Sequence, residues 1–508
     1  MRNFFGNTRH DHPMADMRGA RQLLAELPTG DPIKSLEELA HWLDSTRGER
    51  FRPEHRVQIA LLLDESGQAP ARRLGREYIA ASRLSKLQES RWWNALYEFW
   101  RQVSLSHFDC LHAYEGGERG AEAMKGSLAI LCVRTLRSLA GQMKWLHIRY
   151  GPLDQTLWGM AGRAYALAER RRVARTLVQV YPGVAGDSSP EQELLKMVLF
   201  SVSSPDSLLP VEVDAADRII ATLAPALKIT TLPPPDTTYW LDLAGSHPPL
   251  RHAKPPAATG SIRYVASGPA SAQAATLHDT IVRTRACPHE LGLAGSYAPE
   301  VVAEVLAHLA MQWSPRPPER KHARHRVKAR LTVAHGFDGA LDALQPNTSL
   351  VFTNVGMESW IVENVSAGGF GATVPQAPSD WLKVDVLVAL QPEGGQNWLL
   401  GVVRRLSRPA ANEAALGLQT LARTPQPVEL RVRTGDTLSL DSEVGILTAP
   451  LRPDDRTAQI VLRTGVFAPG QSFILECDGR TFVLSPCTVE GCGPDYELID
   501  CVILRREA

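Results

Sequence analysis

Between positions 319 and 326 the chain reads Glu-Arg-Lys-His-Ala-Arg-His-Arg, so Arg320, Arg324 and Arg326 stand beside Lys321 with Glu319 as the only acid. A guanidinium donates two parallel hydrogen bonds from a planar fork and stacks on flat rings. It therefore suits phosphates and the acceptor edge of guanine. A four-residue spacing on an extended lead-in lets two guanidiniums close on one ligand from the same side. Read alone, the run is more readily a solvated linker in front of a strand.

Further along, a strand-like run from Trp360 to Glu363 leads into Asn364, Val365, Ser366, Ala367, Gly368 and Gly369. Asn offers a donor and an acceptor to a base edge, and the Ser hydroxyl adds one more partner. The glycines permit close backbone approach and positive φ. Taken by itself, the segment is also readable as a glycine-rich turn with a local side-chain hydrogen bond.

Together the two segments resemble the PilZ family, whose signature is R-x-x-x-R followed by D/N-x-S-x-x-G. Arg320 and Arg324 match the arginine pair, and Asn364, Ser366 and Gly369 match the second element. Val384 to Leu387 looks like a middle strand. Leu400 to Arg405 resembles a strand ending in arginine, and Leu416 to Gln419 a closing strand. The resemblance implies a six-stranded antiparallel barrel over residues 318–423 that binds cyclic di-GMP without altering it. By the same carry-over, Arg320 and Arg324 clamp the ligand while Asn364, Ser366 and Gly369 line the base site, with Arg326, Gly368 and Arg404 as additional candidates. Ordering of the lead-in at a domain junction would act as a switch on domain arrangement or partner binding. Arg316/Arg320 and Arg326/Arg330 repeat the R-x-x-x-R spacing. Arg320/Arg324 is the register that leaves Val327, Leu331 and Val333 in strand phase. Glu319 stands where some relatives carry a further arginine, which favours one bound ligand over a stacked pair. The stretch from Gly336 to Asn347 reads as a loop longer than is usual in the family.

The elements that must position these residues follow from patterning. At 508 residues the chain exceeds one ordinary core. Residues 14–230 carry apolar side chains at helical spacing, with starts marked by Asp31-Pro32 and Ser189-Pro190. A helical bundle or stacked hairpins is the natural packing. The aromatic cluster of Trp92, Trp93, Tyr97, Phe99 and Trp100 belongs at a helix–helix interface. Residues 231–317 form a proline-rich mixed segment with a short strand at Ser261 to Val265 and a last amphipathic helix. From Val327 onward the pattern alternates: Val327, Ala329, Leu331 and Val333 fall on one face, with Lys328, Arg330 and Thr332 on the other. Short β-rich runs recur from Leu350 to Phe352 through to Leu498 to Leu504. They are too many for one barrel, and the prolines near Thr424 divide off a second β-rich module, 427–508. The expected fold class is a multidomain α+β chain: an all-α bundle-like domain, a six-stranded barrel and a further barrel-like module.

Charge and composition exclude several function classes. Lys+Arg and Asp+Glu both number 55, so no global field steers nucleic acid, and any basic site is local. Seven cysteines make no disulfide framework in a chain of this length. No window approaches eighteen consecutive apolar residues, so a membrane span is not expected and the expected compartment is a reducing cytoplasm. No phosphate-binding loop, zinc-protease helix or serine elbow occurs, so no catalytic residue, metal or cofactor is expected. The leading reading is a bacterial second-messenger receptor whose ligand is cyclic di-GMP. Its helical domain would pass the signal to a protein partner, such as motility or biofilm machinery. The alternative is a nucleic-acid-binding protein using residues 316–330 as a basic arm. The scattered aromatics Trp360, Phe370 and Trp398 disfavour it.

Overall fold

The computed structural model describes residues 12–507 apart from 82–83, 185, 255, 258, 317–321, 346–356, 376–380, 411, 435–436, 453, 469 and 478. The chain forms two compact units, Met1–Arg149 with Leu153–Pro318, and Tyr150–Pro152 with Glu319–Ala508. It is a multidomain α+β protein with helices first and two closed six-stranded antiparallel barrels after them.

The helical unit opens with α1 (Met17–Ala25), α2 (Pro32–Arg47), α3 (Pro53–Ala80), α4 (Lys86–Glu115), α5 (Leu128–Ile148) and α6 (Thr156–Arg170). The two-residue strands β1 (Val178–Gln179) and β2 (Asp187–Ser188), α7 (Pro190–Ser201) and α8 (Pro210–Leu223) follow. The cap signals act as expected. Asp31 Oδ1 accepts from the Ile33 and Lys34 amides at 3.1 and 3.2 Å, and Ser189 and Gln192 form a reciprocal capping box. The proline-rich stretch holds more regular structure than its composition indicated. Strands β3 (Ile229–Thr230), β4 (Tyr239–Asp242), β5 (Leu250–Arg251) and β6 (Ile262–Val265) form a sheet in the order β3-β6-β4-β5, followed by α9 (Gly268–Thr284) and α10 (Pro299–Trp313). Their prolines sit at turns and helix starts, where a missing N–H costs nothing. The aromatic cluster packs between helices: Phe99 is fully buried, and Trp93 stacks on Tyr97 at 4.8 Å and donates its indole N–H to the Trp145 carbonyl at 2.7 Å. Among the described residues no helix is long and apolar enough to cross a membrane.

Inside this unit lies a buried polar network. Asp64 on α3 has no exposed surface. Its carboxylate accepts from Gln68 Nε2 at 2.7 Å, His107 Nε2 at 3.1 Å and the Tyr181 hydroxyl at 3.3 Å. Arg134 on α5 reaches the same carboxylate at 3.5 Å, and also meets Glu65 at 2.7 Å and the Val180 carbonyl at 3.0 Å. Burial, with the Asp64 charge beside it, pushes the Tyr181 phenol well up. The network joins Asp64, Glu65 and Gln68 of α3 to His107 of α4, Arg134 of α5 and Tyr181, so it specifies how α3, α4 and α5 register against one another.

A second buried group sets a pH dependence. His147, at the end of α5, lies edge-on to Phe200 at 5.5 Å, and burial pulls its imidazole down to about 4. The unfolded chain therefore takes up the proton first. This contribution is complete above pH ~6.5 and is lost as pH falls towards 4, amounting to about 3 kcal/mol over the window. Burial raises the Glu193 carboxyl, but Arg137 and Lys196 outweigh it and bring it to about 2, so its loss comes below pH ~4.5. Denaturant midpoints of the helical transition should fall between pH 6.5 and 4.5, and His147→Leu should flatten that fall. An unchanged slope in the variant would exclude His147 as the source.

The second unit begins with β7 (His325–His335), α11 (Gly336–Leu344), β8 (Glu358–Ser366), β9 (Gly369–Pro375), β10 (Leu387–Pro392), β11 (Leu399–Ala410) and β12 (Glu413–Ala422). The strands close in the order β7-β8-β9-β12-β11-β10. Next come β13 (Gln426–Thr434), β14 (Thr437–Leu447), β15 (Thr457–Arg463), β16 (Gln471–Cys477), β17 (Arg480–Cys492) and β18 (Tyr496–Glu507), closing as β13-β14-β15-β18-β17-β16. Strand for strand the two rings have the same connectivity, so the C-terminal module is a second barrel of the first one's topology. Closure removes the sheet edges that an open sheet would expose. The expected strand at Leu350–Phe352 lies outside the described residues.

Two expectations need correction. The segment after Gly336 is not a loop. Gly336–Leu344 is a helix, with Phe337 and Ala340 buried in one cluster with Ile446, Val461, Tyr496 and Leu498 of the second barrel. Asp495 accepts from the Phe337 amide at 2.6 Å, and Arg463 pairs with Asp338. The alternation of β7 also fails in its first half. Leu331 and Val333 are buried, but Val327 and Ala329 are exposed. β10 covers β7 only from Leu331 to His335, and a bulge between Arg326 and Ala329 breaks the phase.

Candidate ligand-binding site

The hairpin from β8 to β9 carries the Asn-x-Ser-x-x-Gly segment. Along β8, Trp360 and Val362 are buried in the barrel, so continued alternation would turn Asn364 and Ser366 inward too. They do not turn inward, because Glu363 is an extra residue in the ladder. Val362 pairs with Ala372, and the next pair is Asn364 with Gly371. This β-bulge switches Asn364 and Ser366 to the outer surface, a device by which strands re-aim side chains. The Asn364 amide then lies over Gly371, where a Cβ would stand 2.4 Å from its nitrogen.

The turn itself is pinned on both carbonyls. Gly368 O accepts from the Thr420 amide at 3.0 Å, and Ala367 O accepts from Arg423 Nη2 at 2.8 Å. Ser366 Oγ donates to Gly369 O at 3.3 Å. Gly369 has φ +157°, and a Cβ there would meet the Leu418 carbonyl oxygen at 1.9 Å. Only glycine lets β9 pass so close to β12.

The basic lead-in reaches this turn. A Cβ on Gly368 would lie 3.0 Å from His322 Cδ2, so the imidazole rests over the glycine. Arg324 follows, exposed, just before the pair of His325 with Val365, and Arg326 pairs directly with Asn364. Directly opposed residues of an antiparallel ladder share a face. Among the described residues, Arg324 and Arg326 have no carboxylate partner. Arg320 lies outside the described residues. Thus Arg324, Arg326, Asn364, Ser366, Gly368 and Gly369 come together on one outer strip of the first barrel.

Arg404 does not join them as a free donor. It is the extra residue of a second bulge, between the pairs Val403–Leu418 and Arg405–Gly417. It is bound to Asp385 and donates Nε to Gln419 Oε1 at 2.8 Å. Asp385 holds a left-handed φ of 62°, and burial raises its carboxyl despite the neighbouring Arg404. Because Gln419 pairs with Gly369, Arg404 orients a neighbour of the turn. The residue facing outward on the strip is Arg405, exposed and opposite Gly417. The sequence pointed to Arg404, and the bulge decides which of the two adjacent arginines faces the strip.

The arrangement offers planar cationic forks, an amide and a hydroxyl around a small-residue surface. It suits an anionic ligand with base edges. Residues 18–236, less than half of the chain, match the family model described as "Cyclic-di-GMP receptor FimW, N-terminal domain". No curated protein matches the chain. The match supports a cyclic-di-GMP receptor, and it does so from the helical unit, independently of the motifs on the barrel.

Proposed function

We propose that the first barrel is a PilZ-type domain that binds cyclic di-GMP on this outer strip. Arg320 and Arg324 close over the phosphates and one guanine, and Asn364, Ser366 and Gly369 form the base site. The observation that carries the reading is the bulge at Glu363, which turns Asn364 and Ser366 outward beside Arg324 and Arg326, neither of which has a carboxylate partner among the described residues. The family match of the helical segment names the same ligand. In this reading the protein is a cytoplasmic, non-catalytic receptor of bacterial second-messenger signalling. Ordering of the lead-in changes what the helical unit presents to a protein partner.

Titration calorimetry of the full chain with cyclic di-GMP tests it, with GTP and a short single-stranded oligonucleotide as controls. A dissociation constant of about 1 µM or tighter is expected, corresponding to about −8 kcal/mol. Arg324→Ala and Ser366→Ala should each weaken binding by about tenfold or more, as loss of charge-assisted or buried hydrogen bonds does. Folded wild-type protein that binds no cyclic di-GMP would overturn the reading.

A further inference from the structure

The paired registers place five residues in one row across neighbouring strands: Arg326 opposite Asn364, Asn364 opposite Gly371, Gly371 opposite Gly417, and Gly417 opposite Arg405. Strands lie about 4.8 Å apart, so four steps span roughly 19 Å along the curved surface. Two glycines form the middle. Asn364 leans over one, and the Arg405 stem leans over the other, where a Cβ on Gly417 would lie 3.2 Å from Arg405 Cβ. The row crosses five of the six strands of the closed barrel, so it curves round the outer surface with a guanidinium at each end. Arg404 is tied to Asp385, whereas Arg405 has no carboxylate partner among the described residues.

We infer that Arg405 is a ligand-contacting residue, closing the strip from the side opposite the lead-in arginines. This deepens the reading of the strip as a cyclic-di-GMP site and rests on it. A cyclic dinucleotide has two ends, each with a guanine and an adjoining phosphodiester. Arginines on one rim can serve only the nearer end. Arg405 offers its fork to the farther one, where guanine O6 with N7, or two phosphate oxygens, present the same pair of acceptors. The glycines at 371 and 417 keep the floor low enough for a flat ring to lie between.

The test is calorimetric titration of the full-length protein with cyclic di-GMP, comparing wild type with Arg405→Ala, Arg405→Lys and Gly417→Val. Arg405→Ala should weaken binding by at least about fivefold with an unchanged thermal midpoint. Arg405→Lys should recover only part of the loss, because an ammonium lacks the fork. Gly417→Val, which fills the floor, should weaken binding comparably. Repeating the titrations at two salt concentrations assigns the acceptor: a lost phosphate contact reduces the salt dependence, and a lost guanine contact leaves it. If wild type binds and Arg405→Ala weakens it by less than fivefold, the inference falls while the site stands. If wild type does not bind, the underlying reading fails first.

Discussion

Asp64→Ala should lower the unfolding free energy of the helical unit by about 3–5 kcal/mol, the range for removing one partner of a buried ion pair. The carboxylate has no exposed surface, and Gln68, His107, Tyr181 and Arg134 all converge on it. Deleting it leaves the Arg134 guanidinium, only 3% exposed, with Glu65 as its remaining carboxylate partner. Three donors besides lose an acceptor that water cannot replace. Urea unfolding followed by far-ultraviolet circular dichroism reads this out, since the helical unit dominates that signal. A loss below about 1 kcal/mol would mean that solvent reaches the cluster. Replacing Asp64 and Arg134 together by Leu and Met should cost much less than the sum of the single changes, because no uncompensated charge stays behind.

Gly369→Val should cost about 3 kcal/mol or more in the first barrel, through close contact and backbone strain together. The obstacle is the backbone of Leu418, which cannot rotate aside as a side chain would. β9 must separate from β12, and the pairs from Gln419–Gly369 to Leu416–Ala372 lie nearest the disruption. Hydrogen exchange should rise first at those amides. Unchanged protection there would show that the two strands do not pass as closely as described. The Ala367 and Gly368 carbonyls are anchored to Arg423 and Thr420, so the same change should loosen the hairpin that presents Asn364 and Ser366.

Much of this architecture is legible in the residues themselves. Asp31 and Ser189 announce their helices because a cap is a local hydrogen bond. Short β-rich runs marked most strands of both barrels for an equally local reason, though not β9, whose glycines read as a turn. What escaped was whatever depends on a partner strand. Val327 lies in a bulge that breaks its phase with Leu331, and Ala329 keeps the phase but is exposed, since alternation says which residues share a face and not whether anything covers it. The bulges at Glu363 and Arg404 exist only relative to β9 and β12, so no pattern within β8 or β11 reveals them. The motif singled out Asn364, Ser366 and Gly369 as candidates in spite of this, because it names residue types without reference to register. It offered nothing to separate Arg404 from Arg405. The helix Gly336–Leu344 was missed because it is short and opens on glycine, and its apolar face is explained by partners from both barrels that lie far away in sequence.

That helix makes the two barrels mechanically dependent. A second barrel set on a tether could open or shift with nothing in its neighbour registering the change. Here Phe337 and Ala340 of the helix share a core with Ile446, Val461, Tyr496 and Leu498 of the second barrel, and Arg463 answers Asp338. Strain introduced on either side is therefore felt on the other, and the second barrel is the wall against which the first is braced.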